Sequence, residues 1–285
     1  MPNEFPDFVL WSGDNGPHIN GLSKNELLTG LRLISGQFQR VFPLDKVYIL
    51  PAIGNHDVVP SNSMRPAPSD SKRLAWCHQL ASDTSLWGPW IQPSNGNQTA
   101  HTPATGRSSI LGAPPFANFS KGCFYSHLLH LPGSDLLLIS LNGLVWYTGN
   151  PHADDSLPDP LDQFRWLEQS FQWAREAGIK VLLVSHFPPG ASENAPTYVR
   201  HLRPRYNKHL VQLLRKYSDV LMAGLFAHTH VDSFRVLSDE GAKCARSLHL
   251  SSELFHGNIL STEVFQEFRY ARLSVANVVL IRRLT

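Results

Sequence analysis

The chain reads as an α/β fold, and three observations predict this. Short apolar runs rich in Val, Ile, Leu, Phe and Tyr recur along it. They alternate with longer segments whose apolar residues return every three or four positions. Clusters of Gly, Pro, Asn and Ser separate the two kinds of segment. With 285 residues, 42% of them hydrophobic, there is enough apolar material for one sizeable core. No internal repeat or linker divides it, so residues 1–285 read as a single domain.

Taken in order, Phe8-Val9-Leu10-Trp11 is a short buried strand that ends at Gly13-Asp14. Residues 24–40 place Leu27, Leu31, Ile34 and Phe38 on one helical face, behind a Ser23/Glu26 capping box. Residues 46–53 form a second strand that delivers Gly54-Asn55-His56-Asp57. Residues 58–120 are the least regular part, with a modest helix near 73–82 and then a long Pro/Gly/Asn/Thr-rich loop. Paired strands follow at 123–131 and 135–142. Phe164, Leu167, Phe171 and Ala174 line a helix that Gly178 stops. A strand at 179–184 presents His186, a helix spans 206–217, and a strand at 220–226 presents His228 and His230. Strands near 234–237, 247–251 and 277–281 complete a sheet.

Four segments at strand ends carry side chains able to bind metal: Gly13-Asp14, Gly54-Asn55-His56-Asp57, His186-Phe187-Pro188-Pro189-Gly190 and His228-Thr229-His230. Each has a plain alternative. Gly-Asp after a strand is an ordinary turn, Asn55 and Asp57 would serve as helix caps, and His186 before two prolines would serve as a loop histidine. His-Thr-His at the end of an apolar strand is the more specific signal, because two imidazoles there are costly to bury without partners.

Composition excludes other classes. Twenty-five basic residues against 23 acidic ones leave a net charge of +2, which gives no electrostatic case for nucleic acid. No apolar stretch is long enough for a transmembrane helix, and the first residues lack the pattern of a signal peptide. Cys77, Cys123 and Cys244 show no CxxC spacing and no disulfide framework; one bridge and reduced core thiols are both compatible with them. Asn97-Gln98-Thr99 and Asn118-Phe119-Ser120 are glycosylation sequons that matter only in a secretory compartment.

Together the motifs resemble the calcineurin-like metallophosphoesterases and, more narrowly, the acid sphingomyelinase-like phosphodiesterases. The likeness rests on Trp11-Ser12-Gly13-Asp14 with Pro17-His18, on Pro51-Ala52-Ile53-Gly54-Asn55-His56-Asp57 with Pro60-Ser61-Asn62-Ser63, and on Leu138-Ile139-Ser140-Leu141-Asn142. His186-Phe187-Pro188-Pro189-Gly190 and the segment from His228 to Phe234 extend it, so that it runs from about residue 7 to 236. The resemblance implies a two-sheet β-sandwich flanked by helices. It implies hydrolysis of a phosphodiester by attack of metal-bound water, with two divalent ions, zinc by the histidine-rich ligand set. Asp14, Asn55, His186 and His228 would enclose one ion, and His230 would turn toward the other with Asp14 shared. His56, or His18, would sit at the leaving-group oxygen, with Asp57 orienting His56.

Three departures from the family pattern shape the expectations. The family's Asp-x-His pair on the first core strand is absent, which leaves the second ion only Asp14 and His230 and suggests an N-terminally incomplete domain with a bare sheet edge. Ala227 stands where the family has Gly before His-x-His. The tail, about 254–285, is divergent; Glu253, His256 and Glu263 show no ligand-like spacing. The rival readings are a metal-binding relative without catalysis and a nucleotide or protein phosphatase of the superfamily. The expected partner is a small-molecule or lipid-headgroup phosphoester, met by a monomer that is extracellular, lysosomal or vacuolar by resemblance.

Overall fold

A computed structural model describes residues 5–67, 69–91, 119–131, 133–191 and 200–230, together with the backbone of four strands at 232–237, 246–251, 268–272 and 278–283. The sequon asparagines Asn97 and Asn118, with Glu253, His256, Glu263 and Cys244, lie outside the described residues.

The strands are β1 (Phe8–Trp11), β2 (Tyr48–Pro51), β3 (Tyr125–Leu131), β4 (Ser134–Leu141), β5 (Lys180–Ser185), β6 (Leu221–Phe226), β7 (Asp232–Leu237), β8 (Arg246–Ser251), β9 (Phe268–Arg272) and β10 (Val278–Arg283). The helices are α1 (Lys24–Val41), α2 (Ser71–Ser82), the short α3 (Gly88–Ile91) and α4 (Phe119–Gly122), α5 (Gln163–Ala177) and α6 (Pro204–Lys216).

Two four-stranded sheets result, in the orders β2-β1-β10-β9 and β3-β4-β5-β6, with a separate β7-β8 pair. β1 and β2 are parallel, as are β4, β5 and β6. In each sheet the carboxyl ends of these strands therefore share one edge. Hydrogen bonds join the two edges: the Tyr125 hydroxyl donates to the Pro51 carbonyl at 2.9 Å, and His186 Nδ1 lies 2.9 Å from the Ser12 carbonyl. The loops carrying Asp14, Asn55, His186 and His228 all leave from these edges, and such edges are where α/β sheets bind ligands.

The bare edge expected beside β1 is covered. β10 pairs with it antiparallel, Phe8 opposite Ile281 and Trp11 opposite Val278, so β1 has a neighbour on each side. β9, which the sequence reading did not place, borders β10.

Helix formation follows the sequence signals. Ser23 and Glu26 make the reciprocal capping box of α1, whose apolar face buries Leu27, Leu28, Leu31 and Phe38. Gly178 ends α5 in a left-handed conformation. Trp11 extends the core from β1 toward the helices; its ring lies 4.8, 5.6 and 6.1 Å from those of Phe38, Trp87 and Trp90. Cys77 and Cys123 form a disulfide that ties α2 to the segment after α4, which settles the alternative between a bridge and reduced thiols for this pair.

Candidate metal centre

The centre is built on two interlocked turns. After β1, Gly13 and Asp14 both adopt left-handed backbone angles, with φ of 88° and 68°. A side chain at Gly13 would meet the Gly54 nitrogen at 2.5 Å, and one at Gly54 would meet the Asp14 nitrogen at 2.6 Å. Only glycines permit this approach.

Asp57 locks the two turns together. It is fully buried, and its carboxylate accepts from the backbone N–H groups of Asp14 (2.7 Å), Gly54 (2.7 Å) and Asn15 (2.8 Å), and from Asn15 Nδ2 (2.8 Å). Burial and the charge of Asp14 push its pKa up, while the backbone N–H groups pull against them. Its carboxylate thus makes these bonds rather than one to the His56 imidazole, which corrects the orienting role expected for it.

Around this lock the structure brings Asp14, Asn55, His186 and His228 together. His186 Nε2 lies 3.0 Å from Asn55 Oδ1 and 3.5 Å from Asp14 Oδ2, and His228 Nδ1 lies 3.0 Å from Asn55 Oδ1. The Ser12 carbonyl accepts the Nδ1 proton of His186, which fixes the ring with Nε2 toward Asn55 Oδ1 and the Asp14 carboxylate. One carboxylate, one amide oxygen and two imidazoles form a donor set that suits a divalent ion.

The electrostatics follow from burial. Burial raises Asp14, but the hydrogen bond and charge of His186 and the backbone N–H of His56 outweigh it and hold the carboxyl well below the usual range. Burial, with His186 and His201 nearby, lowers His228 to about 3. Both groups therefore keep the charge state that metal binding needs across neutral and mildly acidic pH.

A second group surrounds the other side of Asp14. Ligand-capable atoms of Asp14, His18 and His56 lie within 4.8 Å of one another, as do those of Asp14, His186 and His228. The His18 and His56 rings stack at 3.9 Å with a 10° tilt, and His18 Nε2 lies 3.8 Å from Asp14 Oδ2. Among the described residues His56 Nδ1 is a buried atom with no hydrogen-bond partner. Burial lowers the pKa of His56, against the pull of Asp14. His230 is exposed and belongs to neither ligand group; its ring stands 5.5 Å from that of His18.

Ala227 causes no distortion of its own. Its φ is not positive; the left-handed residues are His228 (φ 72°) and His230 (φ 54°). Non-glycine residues held there cost about 1–3 kcal/mol each and concentrate at functional sites. The sequence reading missed the support around His228: the rings of Phe187, His201 and Tyr147 lie 4.7, 4.9 and 5.2 Å from it. Long separation along the chain hides these contacts. The Ser12 carbonyl was equally invisible, because a backbone group leaves no mark on residue type.

A family model described as calcineurin-like phosphoesterase matches residues 2–232. Acid sphingomyelinase-like phosphodiesterase 3b of Homo sapiens is 32% identical over 237 residues, which cover 82% of this chain and 45% of that protein. Cyclic GMP-AMP phosphodiesterase SMPDL3A of Homo sapiens is 27% identical, covering 86% and 47%. Sphingomyelinase phosphodiesterase C of Dictyostelium discoideum is 27% identical, covering 83% and 46%. The chain thus spans just under half the length of these relatives. A purple acid phosphatase, PPD1 from yellow lupin (Lupinus luteus) seeds, aligns with a TM-score of 0.31 at 14% identity, over 80% of this chain and 38% of its own, too low a score to bear on the fold. By the extent of the family match and the character of these relatives, the chain belongs to the calcineurin-like phosphoesterase family, on its acid sphingomyelinase-like branch.

Proposed function

We propose that this chain is the metal-holding core of a phosphodiester hydrolase, with Asp14, Asn55, His186 and His228 as the ligands of one zinc ion. The observation that carries this reading is the meeting of these four side chains, drawn from four separate strand ends, at distances of 3.0–3.5 Å. A bound divalent ion would supply charge neutralisation at phosphorus and an activated water.

The protein's own residues do the rest. The Asp57 lock holds Asp14 in its left-handed turn. Asp14 presents a second carboxylate edge toward His18 and His56, with His230 at the rim, where a second ion would be held more weakly because fewer fixed ligands face it. His56 donates a proton to the departing alkoxide as its bond to phosphorus breaks, and His18, stacked on it, holds its ring in place. A proton donor whose pKa burial has lowered is charged only in acid. The Cys77–Cys123 bridge favours an oxidising, secretory-route compartment, and the lowered pKa of the donor favours the acidic member of that route, the lysosome, over the extracellular space. No described helix is long and apolar enough to cross a membrane.

Hydrolysis of bis-p-nitrophenyl phosphate with and without zinc tests the reading. Zinc-dependent turnover that falls at least 100-fold in His186→Ala is the expected result. Turnover that a chelator leaves unchanged would contradict it.

A further inference from the structure

A cavity of 560 Å³ lies beside the candidate centre. Two chain segments lead from the centre to its walls. One leaves Asp14 and His18 and enters α1 at Lys24; the other leaves Asn55 and His56 and continues through Val58 to Met64. The two segments touch at their start, since a side chain at Gly16 would meet the His56 carbonyl at 2.3 Å. The cavity floor is fastened to the same loop: Trp76 Nε1 donates to the Asp57 carbonyl at 2.9 Å, and the Asn62 N–H donates to the Asn55 carbonyl at 2.8 Å. The cavity is therefore fastened to the Asn55–Asp57 turn that carries the centre, and the chain leads from His56 through Asp57 directly to its lining residue Val58.

Its lining is apolar below and cationic above. Val58, Met64 and Trp76 are buried surfaces of the floor. Lys24, Arg65 and Lys72 line the walls, and no ion pair involves any of them among the described residues. Lys24 Nζ lies 5.3 Å from the Trp76 ring centre, which carries its charge over the floor. Arg73 is already engaged by the carbonyls of Arg65, Ala67 and Lys121, and Asp70 caps the Arg73 N–H. Four cationic side chains against one carboxylate give the cavity a positive field, at a volume suited to a small organic ligand.

We infer that this cavity is a subsite for an organic anion of the phosphate-ester class with an apolar body, and that it receives the leaving-group side of the substrate. The second clause rests on the hydrolase reading above; the first does not. The floor takes the apolar body, while Lys24, Arg65 and Lys72 take the charge.

The test has a binding arm and a kinetic arm, both on the full chain. Phenyl phosphate is titrated by calorimetry with and without chelator, into the wild type and into Arg65→Ala/Lys72→Ala, whose two side chains belong to exposed positions. Binding that survives chelation and weakens about tenfold in the double variant supports the subsite, and binding absent after chelation or unchanged in the double variant overturns it. The kinetic arm compares thymidylyl-thymidine with and without a terminal phosphate. A KM about tenfold lower for the phosphorylated dinucleotide, with the ratio returning to about one in the double variant, supports the leaving-group assignment; equal KM values in the wild type overturn it. Chelator-resistant binding in a protein without turnover would refute the hydrolase reading while leaving the anion site in place. Zinc-dependent turnover without such binding would do the reverse.

Discussion

Asp57 and His56 are adjacent in sequence and have opposite surroundings. The four hydrogen bonds to Asp57 join two turns distant in sequence. Asp57→Ala would leave three backbone N–H groups without their acceptor, at a cost of about 3 kcal/mol or more. Thermal denaturation should show that loss, accompanied by weaker zinc binding. His56 is half-buried, with its Nδ1 buried and without a hydrogen-bond partner. As its pKa lies below 6.5, the proposed proton transfer is fastest in acid and declines as pH rises through that pKa. His56→Ala should lower kcat by about 10²–10⁴-fold and abolish that limb of the pH profile; a profile identical in both proteins would remove His56 from the role. At this scale the sequence shows Asp14, Asn55, His186 and His228 as ligand-type residues at strand ends. It does not show the His18–His56 stack, because that depends on how two loops lie against each other.

The strands were legible where burial makes them uniformly apolar. β5 is the clearest case, a parallel strand between two neighbours whose burial demands Val and Leu. β9 was not, because Phe268–Arg272 mixes two arginines into five residues and offers neither an apolar run nor a clean alternation. The place of β10 was also hidden: an apolar segment declares itself a strand but not its neighbour, and pairing with β1 closes a loop of more than 260 residues. Pairing Cys77 with Cys123 likewise needs α2 and α4 to meet, which spacing does not state. That bridge closes a 46-residue separation, and removing it as Cys77→Ser/Cys123→Ser should destabilise the fold by about 2–4 kcal/mol. An unchanged denaturation midpoint after the double substitution, or after reduction, would show that the bridge adds nothing to stability. The turns between elements are equally testable. Gly54→Ala forces a methyl against the Asp14 backbone at 2.6 Å, so zinc affinity should fall by at least tenfold.

On the scale of the whole molecule, two sheets bring their parallel carboxyl edges together, and the candidate centre sits where the edges meet. Stability away from the centre has its own pH dependence. His127 on β3 has its pKa lowered to about 4 by burial and by His130. In the unfolded chain it would titrate near 6.5, so its neutral form stabilises the fold fully above that pH. The contribution disappears as pH falls from 6.5 toward 4. His127→Gln should flatten that part of the curve of denaturation midpoint against pH. The meeting of four strand ends on one metal ion is tested most directly by anomalous diffraction from zinc-loaded crystals. The expected result is one strong peak at about 2.0–2.2 Å from Asp14, Asn55, His186 and His228, lost in His186→Ala. A full-occupancy zinc bound elsewhere, with these four side chains still hydrogen-bonded to one another, would contradict it.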